Sequence, residues 1–240
     1  MAGIPDDLLE AWRSEQAQGK RLAVVRFVIE RQGAIDDAAM ARGDEARWAS
    51  GATTLHWGDM AARVEAQTFV QVNQEQMAVL YERALAALGD VRGARVVDAY
   101  AGIGMLSCAI ARDGAEVVCI EENHHAAGLG LLNARLNGVE ARVRYHARRV
   151  EDALAEVAAS ERVDAVVLDP PRAGCAGSVT GWLALAGPQR VVYVSCDPAT
   201  LARDLHVLVA SGPYALDSLE VVDMFPQTHH VECVAGMTRR

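Results

Sequence analysis

Lysine is almost missing from this chain: among 23 basic residues only Lys20 is a lysine, and arginine supplies the rest. The 32 acidic residues outnumber the basic ones and leave a net charge of -9. That balance argues against a protein that grips nucleic acid over a wholly positive surface, because phosphate binding needs local positive charge. Cysteine is also sparse. Cys108, Cys119, Cys175, Cys196 and Cys233 are odd in number, widely spaced and without a C-x-x-C pair. This speaks against a disulfide framework, a zinc ribbon and an iron–sulfur cluster. No apolar run reaches the length of a membrane span. The opening MAGIPDDLLEAW is acidic and lacks the basic-then-apolar order of a secretory leader. A cytoplasmic protein with free thiols is expected.

What the chain does have is a core: 240 residues, 51% of them apolar, suffice for one large domain with a small appendage. Positive charge gathers locally in RLNGVEARVRYHARR, Arg135 to Arg149, which holds a single glutamate. The run reads either as a solvated face or as a rim that contacts phosphate.

From Ala94 onward, short apolar runs alternate with helical patterns. ARVVDAY, AEVVCIE, ARVRYH, RVDAVVLD and QRVVYVSC read as strands. Helices are expected over 105–114, 123–138, 150–160 and 198–211, with PPRAGCAG as a loop after the fourth strand. YALDSLEVVDMF and HHVECVAGM close the chain with no helix between them, so they should pair antiparallel. The fold class is α/β: a doubly wound, mostly parallel seven-stranded sheet with an antiparallel C-terminal pair. Residues 1–62 read as a small N-terminal α+β appendage with a helix over 5–18, a strand RLAVVRFVIE and a hairpin from TTLHW to ARVEAQTF. Residues 63–240 read as the main α/β domain, entered through a helix capped by Asn73.

A doubly wound sheet binds its ligand outside the carboxyl ends of its strands. DAYAGIG, EEN, DPPRAG and SCDP all fall there. In VVDAYAGIGMLS, Gly102 and Gly104 let a ligand approach the backbone, while Ser107 replaces the third glycine of a dinucleotide turn. D-x-x-x-G-x-G without that glycine suits S-adenosylmethionine better than a nicotinamide or flavin. Glu121, ending the next strand, is placed either to accept from ribose hydroxyls or to cap the following helix. Asp169 should face the cleft from a loop stiffened by Pro170 and Pro171. Arg172 stands where an amine-methylating loop would carry an aromatic. Cys196 ends an apolar strand just before a helix start, a position that favours a thiolate, though a lone cysteine so placed is more often core. Glu232 alternates out of an apolar strand and, on its own, reads as a solvent-facing strand residue.

TFVQVNQEQ, LDPPRAG, VSCDPATLARD and DMFPQTHHVE together resemble the uracil-5 RNA methyltransferase family, over roughly Thr68 to Met237. The resemblance implies S-adenosylmethionine as donor, Cys196 as the nucleophile and Glu232 as the base. It places Gln71, Tyr100, Glu121 and Asp169 at the cofactor site, Asp169 also near the target base. It further implies a tRNA or rRNA substrate, and no membrane. The family's N-terminal RNA-binding barrel and its iron–sulfur cysteines are not visible here. Residues 1–62 resemble a reduced remnant of the segment between barrel and catalytic domain. A monomer is expected, with an accessory RNA-binding partner as a source of affinity. Asp197 stands where the family usually has asparagine, and a carboxylate there opposes thiolate formation. Met105 and Arg148 replace polar family residues near the cofactor. Two other readings are a non-catalytic RNA-binding or RNA-folding protein that kept the fold, and a cytosine-5 enzyme. The intact Cys196, Glu232 and Asp169 set argues against the first and DMFPQTHHVE against the second.

Overall fold

A computed structural model describes residues 52–65, 68–228 and 230–240. The helix expected over 5–18 and the strand expected over 21–30 lie outside the described residues. The hairpin consists of β1 (Ala52–Trp57) and β2 (Met60–Glu65), joined through Gly58 and Asp59. Its second strand starts and ends earlier than the residues 62–69 expected, because Gly58, at a φ of 59°, supplies a two-residue turn. Residue 62, where the appendage was expected to end, lies within β2.

The remaining elements form a seven-stranded sheet. In chain order they are α1 (Gln74–Leu88), β3 (Arg95–Ala99), α2 (Met105–Arg112), β4 (Glu116–Ile120), α3 (His124–Leu136), β5 (Val143–His146), α4 (Val150–Ser160), β6 (Ala165–Leu168), α5 (Gly177–Ala186), β7 (Arg190–Ser195), α6 (Pro198–Leu205), β8 (Tyr214–Val222) and β9 (Glu232–Arg239). The strand order is β5-β4-β3-β6-β7-β9-β8. The five strands from β3 to β7 pair parallel, and β9 pairs antiparallel with both β7 and β8. This is the expected architecture. Apart from the edge strand β5, the parallel strands are Val-rich and buried on both faces, as helices covering both sides require.

The caps follow the chemistry of their residues. The Asn73 side chain accepts from the Gln76 N–H, and Asn123 accepts from the N–H groups of His125 and Ala126. Asn133 on α3 and Asn137 at its C-terminal cap, one turn apart, bond the backbone of Arg63 and Ala61 as a neighbouring strand would. Asn133 also donates to the Ile103 carbonyl at 3.0 Å, tying α3 to the glycine turn.

Three boundaries differ from the sequence reading. α5 was not anticipated, because Gly177 and Gly181 hide a helix that buries Val179, Thr180 and Leu183. α6 ends at Leu205 and continues as one π-helical turn, His206–Ala210, which keeps Leu208 in the core. β9 begins at Glu232 rather than at residue 229, so Glu232 stands at the mouth of its strand.

Candidate active site

The topology brings the site together. β9 runs against β7, so the first residues of β9 lie beside the last of β7: Cys233 pairs with Ser195. Cys196 and Glu232 therefore meet at the same sheet edge as the ends of β3, β4 and β6. A cleft of about 540 Å³ opens there, within the range of small-molecule sites. Gln71, Tyr100, Gly102, Glu121, Asp169, Cys196 and Glu232 all line it. These seven candidate catalytic and cofactor-site residues therefore share one cleft, whereas Gly104, Met105, Arg148 and Asp197 do not line it.

The β3–β4 side is built from backbone. Gly102 (φ 54°) and Gly104 (φ 78°) take left-handed conformations, and a Cβ on Gly104 would collide with the Tyr145 hydroxyl. Glu121 accepts from the Gly102 N–H at 2.9 Å through one oxygen and from the Asn123 N–H at 2.8 Å through the other. A carboxylate has about four acceptor positions, so two remain for a ligand in the cleft, while the α3 cap itself is the Asn123 side chain. A ribose diol fits that donor requirement. Tyr100 has a φ of 69°, and its hydroxyl is buried against the Cys175 thiol. It therefore offers the cleft its ring and backbone, not its hydroxyl. Gln71 is buried at the opposite wall. Met105 is buried under the turn, and Arg148 turns away to Glu156 at 2.8 Å.

The β6–β7–β9 side is built from side chains with opposed charges. Burial, then Glu232 and Asp98, pushes the Asp169 carboxyl up to about 8. Burial raises Glu232 to about 7, and Arg172 pulls against it. Cys196 is partly exposed, whereas the other four cysteines are buried. Its thiol is pushed up by burial, Glu232 and Asp169, with Arg172 opposing. The direction is contrary to what the helix start alone suggests, because two carboxyls and desolvation outweigh it.

Asp197 is not among the groups acting on that thiol. Its carboxylate caps α6, accepting from the Ala199 and Thr200 N–H groups at 3.0 Å each. Arg172 is the residue that sequence reasoning missed. It was read only as the absence of an aromatic, yet it lines the cleft and bonds His230 Nδ1 at 3.0 Å. A cation three residues after a strand-end acid was the available signal. In the arginine run, Arg142, Arg144 and Arg148 pair with Glu116, Glu161 and Glu156, as a solvated face would. Arg149 alone of that run lines the cleft.

A sheet of this order with an acid-and-glycine turn at its first strand end defines a methyltransferase-type α/β domain. The model of one family, tRNA (uracil-5-)-methyltransferase, matches residues 53–240. An uncharacterized RNA methyltransferase of Gloeobacter violaceus is 46% identical over 177 residues, 74% of this chain and 37% of that protein. The 23S rRNA (uracil(1939)-C(5))-methyltransferase RlmD of Azoarcus sp. is 41% identical over 187 residues, 78% of this chain and 43% of that one. Among solved structures, Pyrococcus abyssi tRNA (uracil-54, C5)-methyltransferase in complex with S-adenosyl-L-homocysteine aligns with a TM-score of 0.68 and 28% identity. That alignment covers 78% of this chain and 44% of that one. The chain spans less than half the length of these relatives. It belongs to the tRNA (uracil-5-)-methyltransferase family.

Proposed function

We propose that this chain methylates carbon 5 of a uridine in structured RNA, tRNA or rRNA, through a covalent bond from Cys196 to carbon 6. The observation that carries the reading is the meeting of Cys196, at the end of β7, with Glu232, at the start of antiparallel β9, in one cleft. Glu121, Gly102, Tyr100, Gln71 and Asp169 would hold S-adenosylmethionine, which supplies an electrophilic methyl group.

Carbon 5 of uracil is a weak nucleophile. Addition of the Cys196 thiolate to carbon 6 turns the ring into an enolate with charge at carbon 5, which can then accept the methyl group. The methylated adduct still carries a proton on carbon 5. Glu232 removes it, the ring double bond reforms, and the thiolate leaves. A carboxyl raised to about 7 suits that task, being strong enough as a base while ionised near neutral pH. A uridine within folded RNA must swing out to enter the cleft, and exposed Phe69 at its rim offers a stacking face.

The reading carries further proposals: a reduced appendage over residues 1–62, a monomeric cytoplasmic protein, and an accessory partner that adds RNA affinity. Among the described residues no helix is long and apolar enough to cross a membrane. The test is transfer from methyl-labelled S-adenosylmethionine to tRNA and rRNA transcripts, followed by nucleoside analysis. Labelled 5-methyluridine is expected. Label in 5-methylcytidine, or none in any RNA, contradicts the proposal.

A further inference from the structure

The stretch VSCDPATLARD runs on past Cys196 to Arg203 and Asp204, neither of which lines the cleft. Thr200, Arg203 and Asp204 have the three-and-four spacing that puts them on one face of α6. That face holds the backbone of the loop that follows Asp169 and carries Arg172. Arg203 Nη2 donates to the carbonyls of Ala173 at 3.0 Å and Cys175 at 3.2 Å. Asp204 Oδ2 accepts from the Cys175 N–H at 2.8 Å and from the Tyr193 hydroxyl at 2.6 Å. Arg203 Nε braces Asp204 Oδ1 at 2.8 Å. The Thr200 hydroxyl lies 3.2 Å from the Arg172 carbonyl and 3.1 Å from the Asp197 carbonyl, so its one proton is shared and it is the weaker member.

The loop's own sequence fits this arrangement. Gly174 has a φ of 75°, and a Cβ there would run into Arg203, Asp204 and Thr200. Asp204 is 2% exposed and Tyr193 is fully buried, so the Asp204 bonds to Cys175 and Tyr193 sit where water cannot replace them, whereas the Arg203 side chain is exposed. Tyr193 is on β7, the strand that ends beside Cys196. Loop, strand and helix are therefore joined at one carboxylate.

We propose that Arg203 and Asp204 are positioning residues that lock the Arg172 loop to the helix following Cys196, and so set where the Arg172 guanidinium stands relative to the thiol. The inference rests on Cys196 as the reacting group. Its consequence is electrostatic. Arg172 opposes the effect of burial and the carboxyls on Cys196 and of burial on Glu232, and its influence falls with distance. Loosening the lock withdraws that influence without substituting any residue that lines the cleft.

The experiment is iodoacetamide alkylation of the full chain as a function of pH, followed by intact mass. Cys196 reacts selectively because the other four thiols are buried. Arg172→Gln and Arg203→Met should each move the alkylation midpoint upward by about half to one pH unit. The double variant should move it no further than Arg172→Gln alone, as expected when one residue acts through the other. Arg203→Lys should recover part of the shift. Should Arg203→Met not fold, Asp204→Asn carries the same expectation. An unchanged midpoint in a folded lock variant, or shifts that simply add in the double variant, overturns the proposal. The readout uses neither RNA nor methyl transfer, so its failure is distinct from a failure of the uridine reading.

Discussion

At the ends of β3 and β4 the acid of the cleft is already engaged: Glu121 binds the Gly102 and Asn123 N–H groups, and the turn around it is fixed by backbone conformation. At the ends of β6 and β7 and the start of β9 the acids have little of that support. Asp169 and Glu232 are raised to about 8 and about 7, burial being the larger cause in both and Arg172 a counterweight on Glu232. The first half is a preformed cradle, which costs nothing to organise when a ligand arrives. The second half is poised between protonation states, as proton transfer requires. One cleft thus holds a half fixed by backbone bonds and a half lined by titrating carboxyls.

Four substitutions sharpen or break that division. Glu232→Gln should have the largest effect: turnover should fall on the order of 10²- to 10⁴-fold, and an RNA–protein adduct should accumulate on denaturing gels. Loss of RNA binding with no adduct would assign Glu232 to the wrong half. Glu121→Ala should weaken S-adenosylhomocysteine binding by about 10- to 100-fold in calorimetry and leave the pH midpoint of Cys196 alkylation in place. A midpoint that moves as well would mean the halves are not separable.

Asp98 tests the cradle through stability. It is buried beneath the turn, accepts from Ser107, and is raised to about 7, chiefly by burial. A carboxyl whose folded value lies above its unfolded one stabilises the fold fully below about pH 4. That contribution is lost as pH rises through about 7. Wild-type melting temperature should therefore fall between pH 5 and 8, and Asp98→Asn should flatten the fall. Each kcal/mol recovered at pH 8 is worth about 2–4 °C. An identical slope in both proteins contradicts the assignment. The smallest effect belongs to Asp197→Asn. Both residues cap helices about equally well, and the Asp197 carboxylate is turned to α6. Stability should change by less than about 0.5 kcal/mol, and the Cys196 titration should not shift. A clear downward shift would restore the opposition expected from sequence.

The two halves also differed in how far they could be read from the sequence. The cradle is local: a strand, Gly102, Gly104, another strand and Glu121 are close together in the chain, and turn chemistry alone marks them. The pairing of Cys196 with Glu232 depends on an antiparallel last strand, which residue patterns suggest but do not place in register. Arg172 went unread because its partners arrive from the segment before β9, at His230, and from α6, at Thr200. α5 was missed because two glycines weaken its helical pattern, and burial of Val179 and Leu183 overrides that weakness.

The central claim is that Cys196 bonds to carbon 6 of a uridine. Incubation with RNA containing 5-fluorouridine and S-adenosylmethionine tests it directly, since fluorine cannot leave carbon 5 as a proton and the adduct cannot resolve. Intact mass and peptide mapping should find RNA attached at Cys196 and no adduct in Cys196→Ala. A protein that binds the cofactor yet forms no adduct with tRNA or rRNA, or forms one at another residue, would contradict the account.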